Sequence, residues 1–230
     1  MKDSFLESTR YEIKFVADIT HLHSLRHWLR LNAAGLSTAY PSRQVNNIYF
    51  DTHEFSAYAQ NLSGVSSRRK IRYRWYGNSL MPLPGSLEIK SRRNQLGWKT
   101  LFPIKVSPYK EDCTWKTFKS RLRDQLPENQ RHVLDDNPQV VLINSYHRDY
   151  FVSGDKKISV TLDSQQFLLD QHIQPKPNFK HKTNMPEIIV LEIKCAGKNR
   201  DLAVKLAKDI PLRVSRHSKY VVGTKSILGR

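Results

Sequence analysis

One short pattern recurs in this chain: an apolar residue followed by Glu, Ile and Lys. It reads YEIK at Tyr11–Lys14, LEIK at Leu87–Lys90 and LEIK again at Leu191–Lys194. The uneven spacing of the copies excludes a solenoid repeat. In a β-strand successive side chains point to opposite faces. Glu12 and Lys14 therefore share one face while Tyr11, Ile13 and Phe15 take the other. Glu88 and Lys90 separate in the same way from Leu87 and Ile89, as do Glu192 and Lys194 from Leu191 and Ile193. The stretch RRKIRYRWYG repeats the division, with Lys70, Arg72 and Arg74 alternating with Ile71, Tyr73 and Trp75. In NSYHRDYFV, Arg148 lies between Tyr146 and Tyr150 on one face, and TLDSQ groups Thr161, Asp163 and Gln165.

A sheet of this kind buries its apolar face under helices and must place its charged face somewhere. That face either meets solvent as a salt-bridged outer surface, or the sheet curls and the charges line a bore. Mixed signs make an enclosed bore tolerable, because Glu and Lys pair across strands. The remaining Arg and Lys then suit an anionic guest, and a linear chain of phosphates fits such a space.

Alternation predicts strands over residues 10–16, 45–51, 66–77, 85–93, 97–105, 140–153, 157–169 and 187–195. A hairpin turn is expected at Asn94–Gly97, a loop at Gly77–Gly85 and a turn at Gly154–Asp155. Helical spacing marks residues 18–32, 52–60, 114–125, 199–209 and a last stretch from His217. Residues 170–186 read as a basic, proline-containing loop. No break in composition divides the 230 residues, so the expectation is one α+β domain over 1–230, built on an antiparallel sheet.

The formal net charge of +17 calls for a polyanionic partner: nucleic acid, an anionic membrane or a phosphate-rich small molecule. Nucleic acid is disfavoured, because Tyr73 and Trp75 lie on the face opposite Arg72 and Arg74, where bases could not stack between arginines. Cys113 and Cys195 stand far apart with no Cys/His cluster, which argues against structural zinc and for reduced thiols in a cytoplasmic protein. No signal-like apolar run opens the chain, and no apolar stretch nears the roughly 20 residues a membrane helix requires. CAGKNR lacks the first Gly and the Ser/Thr of a phosphate loop. His21 and His23, two residues apart on a helix, point in different directions and do not suggest a metal site. Ser215 and Ser218 flank His217 without an acidic partner or an oxyanion motif, which argues against a serine hydrolase.

RYEIKF, VNNIYFDT, RRKIRYRWYG, SLEIKSR, NSYHRDYF, VTLD, LEIKC and RHSKYVVG occur in that order. Together they resemble the VTC domain, the polyphosphate polymerase branch of the CYTH-like triphosphate tunnel metalloenzymes. The resemblance implies a closed antiparallel eight-stranded β-barrel, a triphosphate tunnel with helices packed outside. It implies phosphate contacts from Lys14, Arg72, Arg74, Lys90, Arg148, Ser218 and Lys219. Glu192 matches the acidic metal ligand, with Glu12 as a second candidate, and the metal is Mn²⁺ or Mg²⁺. Tyr146, Glu88, Asp163 and Lys194 complete the expected lining, Glu88 as a partner of basic residues. The catalytic set implied is Arg72, Arg74, Arg148, Lys219 and Glu192. The superfamily opens with Glu-x-Glu-x-Lys, whereas this chain reads Arg10-Tyr11-Glu12-Ile13-Lys14, which weighs against a two-metal triphosphatase.

The chemistry of the residues agrees with phosphoryl transfer, which needs alignment and neutralised charge. In polymerisation the attacking terminal phosphate is already ionised and needs no base, whereas hydrolysis needs a positioned, deprotonated water. No dedicated base stands out, although Glu12 or Asp163 could serve. The expected activity is transfer of the γ-phosphoryl of ATP to polyphosphate. The alternatives are an inorganic triphosphatase or nucleoside triphosphate hydrolase, and a non-catalytic polyphosphate or inositol-phosphate binding module. Family members can sit beside membrane segments, so any export of product by this chain would fall to a separate membrane partner.

Overall fold

β1 (Arg10–Asp18) delivers the first alternation, with Ile13 and Phe15 buried. A 3-10 turn at Ile19–His21 follows, its start capped by Asp18, whose carboxylate accepts the Thr20 N–H at 2.9 Å. α1 (Leu22–Leu31) buries Leu25 and Leu29 and ends where the Asn32 side-chain amide donates to the Leu29 carbonyl at 2.8 Å. The remaining elements are β2 (Ser37–Asp51), α2 (Ser56–Leu62), β3 (Ser67–Tyr76), β4 (Gly85–Arg93) and β5 (Leu96–Ile104). Then come α3 (Trp115–Asp124), α4 (His132–Asp135), β6 (Gln139–Val152), β7 (Ile158–Asp170), β8 (Lys182–Thr183) and β9 (Ile188–Ala196). α5 (Arg200–Lys208) and α6 (Lys219–Leu228) complete the chain. The computed structural model describes residues 10–93, 96–183 and 185–229.

The strands hydrogen-bond in the order β1-β9-β7-β6-β2-β3-β4-β5, with β8 a two-residue addition to β7. Every pairing whose register is described is antiparallel. Among the described residues no ladder joins β5 back to β1, so hydrogen bonds do not close the sheet into the expected barrel. The class is α+β with a largely antiparallel sheet.

The chain packs as two compact units. One takes the described residues of 1–43, 146–166 and 186–218, and the other those of 44–145, 167–185 and 219–230. In the first, Ile13, Phe15, Leu25, Leu29, Leu191 and Ile193 belong to one apolar cluster, joined by Ala203 and Leu206 of α5. In the second, Tyr73 and Trp75 are fully buried and Tyr73 meets Phe118 of α3 edge-on at 5.8 Å. Tyr73 and Trp75 therefore pack beneath α3. α3 begins with a reciprocal cap between Thr114 and Thr117 and buries Trp115, Phe118 and Leu122.

Two glycines permit close approaches in the second unit. A Cβ on Gly85 would lie 2.0 Å from the Arg74 carbonyl oxygen, so only glycine lets β4 start beside β3. A Cβ on Gly223 of α6 would lie 2.8 Å from a methyl of Leu142 on β6.

The differences from expectation are local. β2 begins eight residues before the alternation does, because Ser37–Gln44 is polar, carries Pro41 and is largely exposed. The α4 turn has no long amphipathic signature and was not expected. β8 falls inside the 170–186 loop, which is pinned by Gln171: its side chain donates to the Asn178 carbonyl at 2.8 Å and accepts the Asn178 N–H at 2.7 Å. The expected turn at Asn94–Gly97 falls partly outside the described residues. Cys113 and Cys195 are free and buried.

Candidate active site

In the first unit, the antiparallel register of β1 and β9 sets Lys14 opposite Glu192 and Glu12 opposite Lys194. The two EIK motifs thus run past each other so that each carboxylate faces an ammonium. Lys14 Nζ lies 3.0 Å from Glu192 Oε1 and 3.2 Å from Glu12 Oε2, and Lys194 Nζ lies 2.6 Å from Glu192 Oε2. Burial opposes ionisation of Glu192, but Lys194, Lys14 and Arg148 outweigh it and hold its carboxyl well below the usual carboxylate range. Burial likewise opposes the charge on Lys14, and Glu192 and Glu12 overcome it, so its pKa is raised. On β7, Thr161 stands opposite Glu192, and its buried hydroxyl oxygen has no hydrogen-bond partner.

Arg148 of β6 binds Asp163 of β7 through two parallel bonds, Nε to Oδ1 at 2.6 Å and Nη2 to Oδ2 at 2.8 Å. Its guanidinium sits 5.1 Å from the centre of the Tyr146 ring. Burial works against the Arg148 charge, but Tyr146, Asp163 and Glu192 raise its pKa well above the ordinary value. Both Asp163 oxygens are engaged by Arg148, which makes this aspartate an ion-pair partner rather than a free base.

In the second unit, β3 and β4 pair so that Arg72 stands opposite Glu88 and Lys70 opposite Lys90. Lys90 in turn stands opposite Lys99 of β5. Arg72 donates twice to Glu88 Oε2, from Nε at 2.8 Å and Nη2 at 2.5 Å. Arg74 and Lys99 approach Glu88 Oε1 at 3.8 and 3.6 Å. Arg74 also donates to Asn47 Oδ1 at 2.8 Å. Burial raises the Glu88 pKa, but Arg72, Arg74 and Lys99 outweigh it and bring it down to about 2. Three cations thus converge on one carboxylate whose side chain is 4 % exposed. A solvated outer sheet face would not bury Glu88, Glu192 and Asp163 in this way.

The sequence-derived residues therefore gather in groups. Lys14, Glu12, Glu192 and Lys194 form one, with Arg148, Asp163 and Tyr146 coupled to it through Glu192. Arg72, Arg74 and Glu88 form another. Lys90 is exposed, and Lys219 is the half-buried first residue of α6, preceded by half-buried Ser218. Sequence reasoning did not single out Lys99, Asn47, Tyr49 or Tyr220. Lys99 was legible in principle, since the antiparallel pairing of β4 with β5 places it opposite Lys90. Among the described residues no group of three or more His, Cys, Asp or Glu side chains is arranged to hold a metal. No helix among them is long and apolar enough to cross a membrane.

Searching curated proteins finds no match. Among the solved structures that share the fold are these two. One is a candidate adenylate cyclase from Vibrio parahaemolyticus, 11 % identical, TM-score 0.53, covering 94 % of this chain and 98 % of its own. The other is a candidate adenylyl cyclase from Hippeastrum with a described dominant triphosphatase activity, 15 % identical, TM-score 0.50, covering 94 % and 96 %. Nearly the whole chain, residues 9–228, matches the VTC domain profile. The EIK strands, the arginine strand and the SK-bearing helix are thus parts of one family pattern, and the chain belongs to the VTC domain family.

Proposed function

We propose that the chain is a divalent-metal-dependent phosphotransferase that moves the γ-phosphoryl of ATP onto a growing polyphosphate chain. The observation that carries this reading is the convergence of Arg72, Arg74 and Lys99 on buried Glu88, beside the Lys90 row. Such a cluster favours a ligand with a negative charge at each repeat, and Arg forks match phosphate oxygens. Membership of the VTC family supports polyphosphate as that ligand. The reading includes the family's closed eight-stranded tunnel, a single functional domain over 1–230 and a cytoplasmic setting.

In this reading the first unit's carboxylates take a hard divalent cation once Lys14 and Lys194, which here occupy both Glu192 oxygens, turn to phosphate. Glu192 is held ionised, Glu12 shares Lys14 with it, and the partnerless Thr161 hydroxyl lies opposite Glu192 in register. Two carboxylates with phosphate oxygens and water are what Mg²⁺ or Mn²⁺ asks of a protein. Bound there, the ion would neutralise charge on the transferring phosphoryl group. Lys14, Lys194 and Arg148 would hold phosphate oxygens on the same side. In this reading Lys219 and Ser218 add a contact from the start of α6, and Asp163 keeps the Arg148 fork in plane.

Incubation of the purified chain with ATP and Mn²⁺ or Mg²⁺, followed by gel separation of products, tests the proposal. A ladder of long polyphosphate with ADP is expected. Free phosphate without polymer would replace it with the triphosphatase reading, which the activity described for the Hippeastrum protein favours. Binding of polyphosphate without turnover would leave a binding module.

A further inference from the structure

Asp51 closes β2 with a fully buried carboxylate. Four donors surround it: the N–H groups of Thr52 and Ala57 on Oδ1, each at 2.8 Å, and the Tyr58 N–H at 3.0 Å and the Tyr220 hydroxyl on Oδ2. The carboxylate thus ties the first turn of α2 to the first turn of α6. The Tyr220 ring stacks on Tyr49 with centres 5.1 Å apart and planes 24° apart. Tyr49 in turn accepts a hydrogen bond from Arg72 Nη1 at 3.3 Å. An unbroken line of contacts therefore runs from Asp51 through Tyr220 and Tyr49 to the Arg72–Glu88 pair. Lys219 precedes Tyr220, its Cα about 3.8 Å away across one peptide bond.

We propose that Tyr220 is a positioning residue for phosphate binding: its hydroxyl, anchored on Asp51, fixes where α6 presents Lys219 and supports the tyrosine that holds Arg72. The inference rests on the phosphate-transfer reading above and adds to it the residue that sets the geometry of two of its cations. A phenylalanine would fill the same space and keep the ring stack, so packing alone does not call for the hydroxyl. What the hydroxyl adds is direction. With it, the ring cannot slide along Tyr49 without breaking a bond to a buried carboxylate; without it, that restraint on α6 is gone. Burial, with Asp51 beside it, pushes the Tyr220 hydroxyl far above its ordinary pKa, so it remains a donor at any working pH.

The test is a thermodynamic cycle read by calorimetric titration with inorganic triphosphate in the absence of metal. Tyr220→Phe and Lys219→Ala are each expected to weaken binding by roughly three- to tenfold, the range of one hydrogen bond's net value. The double variant is expected to lose clearly less than the product of the two single losses, because a lysine already removed cannot be mispositioned and only the part carried through Arg72 remains. Tyr49→Phe leaves Asp51 and its donors intact and interrupts the same line at Arg72. A similar loss is expected from it, and it decides the matter if Tyr220→Phe does not fold. Native-like binding by Tyr220→Phe, or by Tyr49→Phe in that case, overturns the positioning role while leaving the phosphate reading intact. So do losses that multiply in full in the double variant. A native chain that does not bind triphosphate overturns both.

Discussion

Replacing Glu88 by Gln tests the electrostatic core of the site directly. The substitution keeps the shape of the side chain but leaves Arg72, Arg74 and Lys99 around a neutral amide. The carboxyl falls from its ordinary 4.5 to about 2 on folding, which at 1.36 kcal/mol per pH unit is worth about 3 kcal/mol. Little solvent screening applies, because the side chain is 4 % exposed. The expected loss is therefore about 3 kcal/mol of unfolding free energy at pH 7, measured by urea denaturation. A depressed carboxylate pKa stabilises fully above about 4.5, and that contribution disappears as pH falls toward about 2. The gap between native and variant should accordingly close across that window. Inorganic triphosphate should stabilise the variant more than the native chain, since it supplies the missing negative charge. A variant within about 0.5 kcal/mol of native at pH 7, or a gap that stays constant down to pH 2.5, would refute the reasoning.

Glu192→Gln should abolish polymer formation while retaining polyphosphate binding in a filter or calorimetric assay; unchanged turnover would remove Glu192 from the metal role. Chelation of divalent metal should stop turnover and its readdition restore it, both followed by ADP release. Phe118→Ala should cost about 3–5 kcal/mol in urea denaturation, because the ring is fully buried against Tyr73 and Trp115. Arg148→Lys should weaken triphosphate binding despite keeping the charge, since lysine cannot reproduce the two-pronged bond to Asp163.

The strands and their faces were readable because alternation has a period of two, and burial enforces it. Ile71, Tyr73 and Trp75 sit inside as their positions require, and Arg72 and Arg74 share the face of Glu88. The pairings within the site were less legible, since sequence shows a face but not a register. That Lys14 meets Glu192, and Glu12 meets Lys194, depends on β1 lying beside β9, nearly the full length of the chain away. Lys99 was missed because its role arises only once β5 folds back on β4. Tyr220 and Asp51 were missed for a further reason: a tyrosine and an aspartate 169 positions apart carry no spacing signal, and only a shared burial site joins them. The first half of β2 was unreadable because both of its faces are largely exposed and no pattern is imposed on it.

Gly223 has a reach beyond its own neighbourhood. It lies four residues beyond Lys219, about 6 Å along the helix axis, in a spot where even a methyl group would collide with Leu142. A side chain there must displace either the Leu142 methyl or the helix, and if the helix gives way its leading lysine moves with it. Under the proposed role of Lys219, a change in packing at a position that never meets the ligand would show itself as a loss of grip on phosphate.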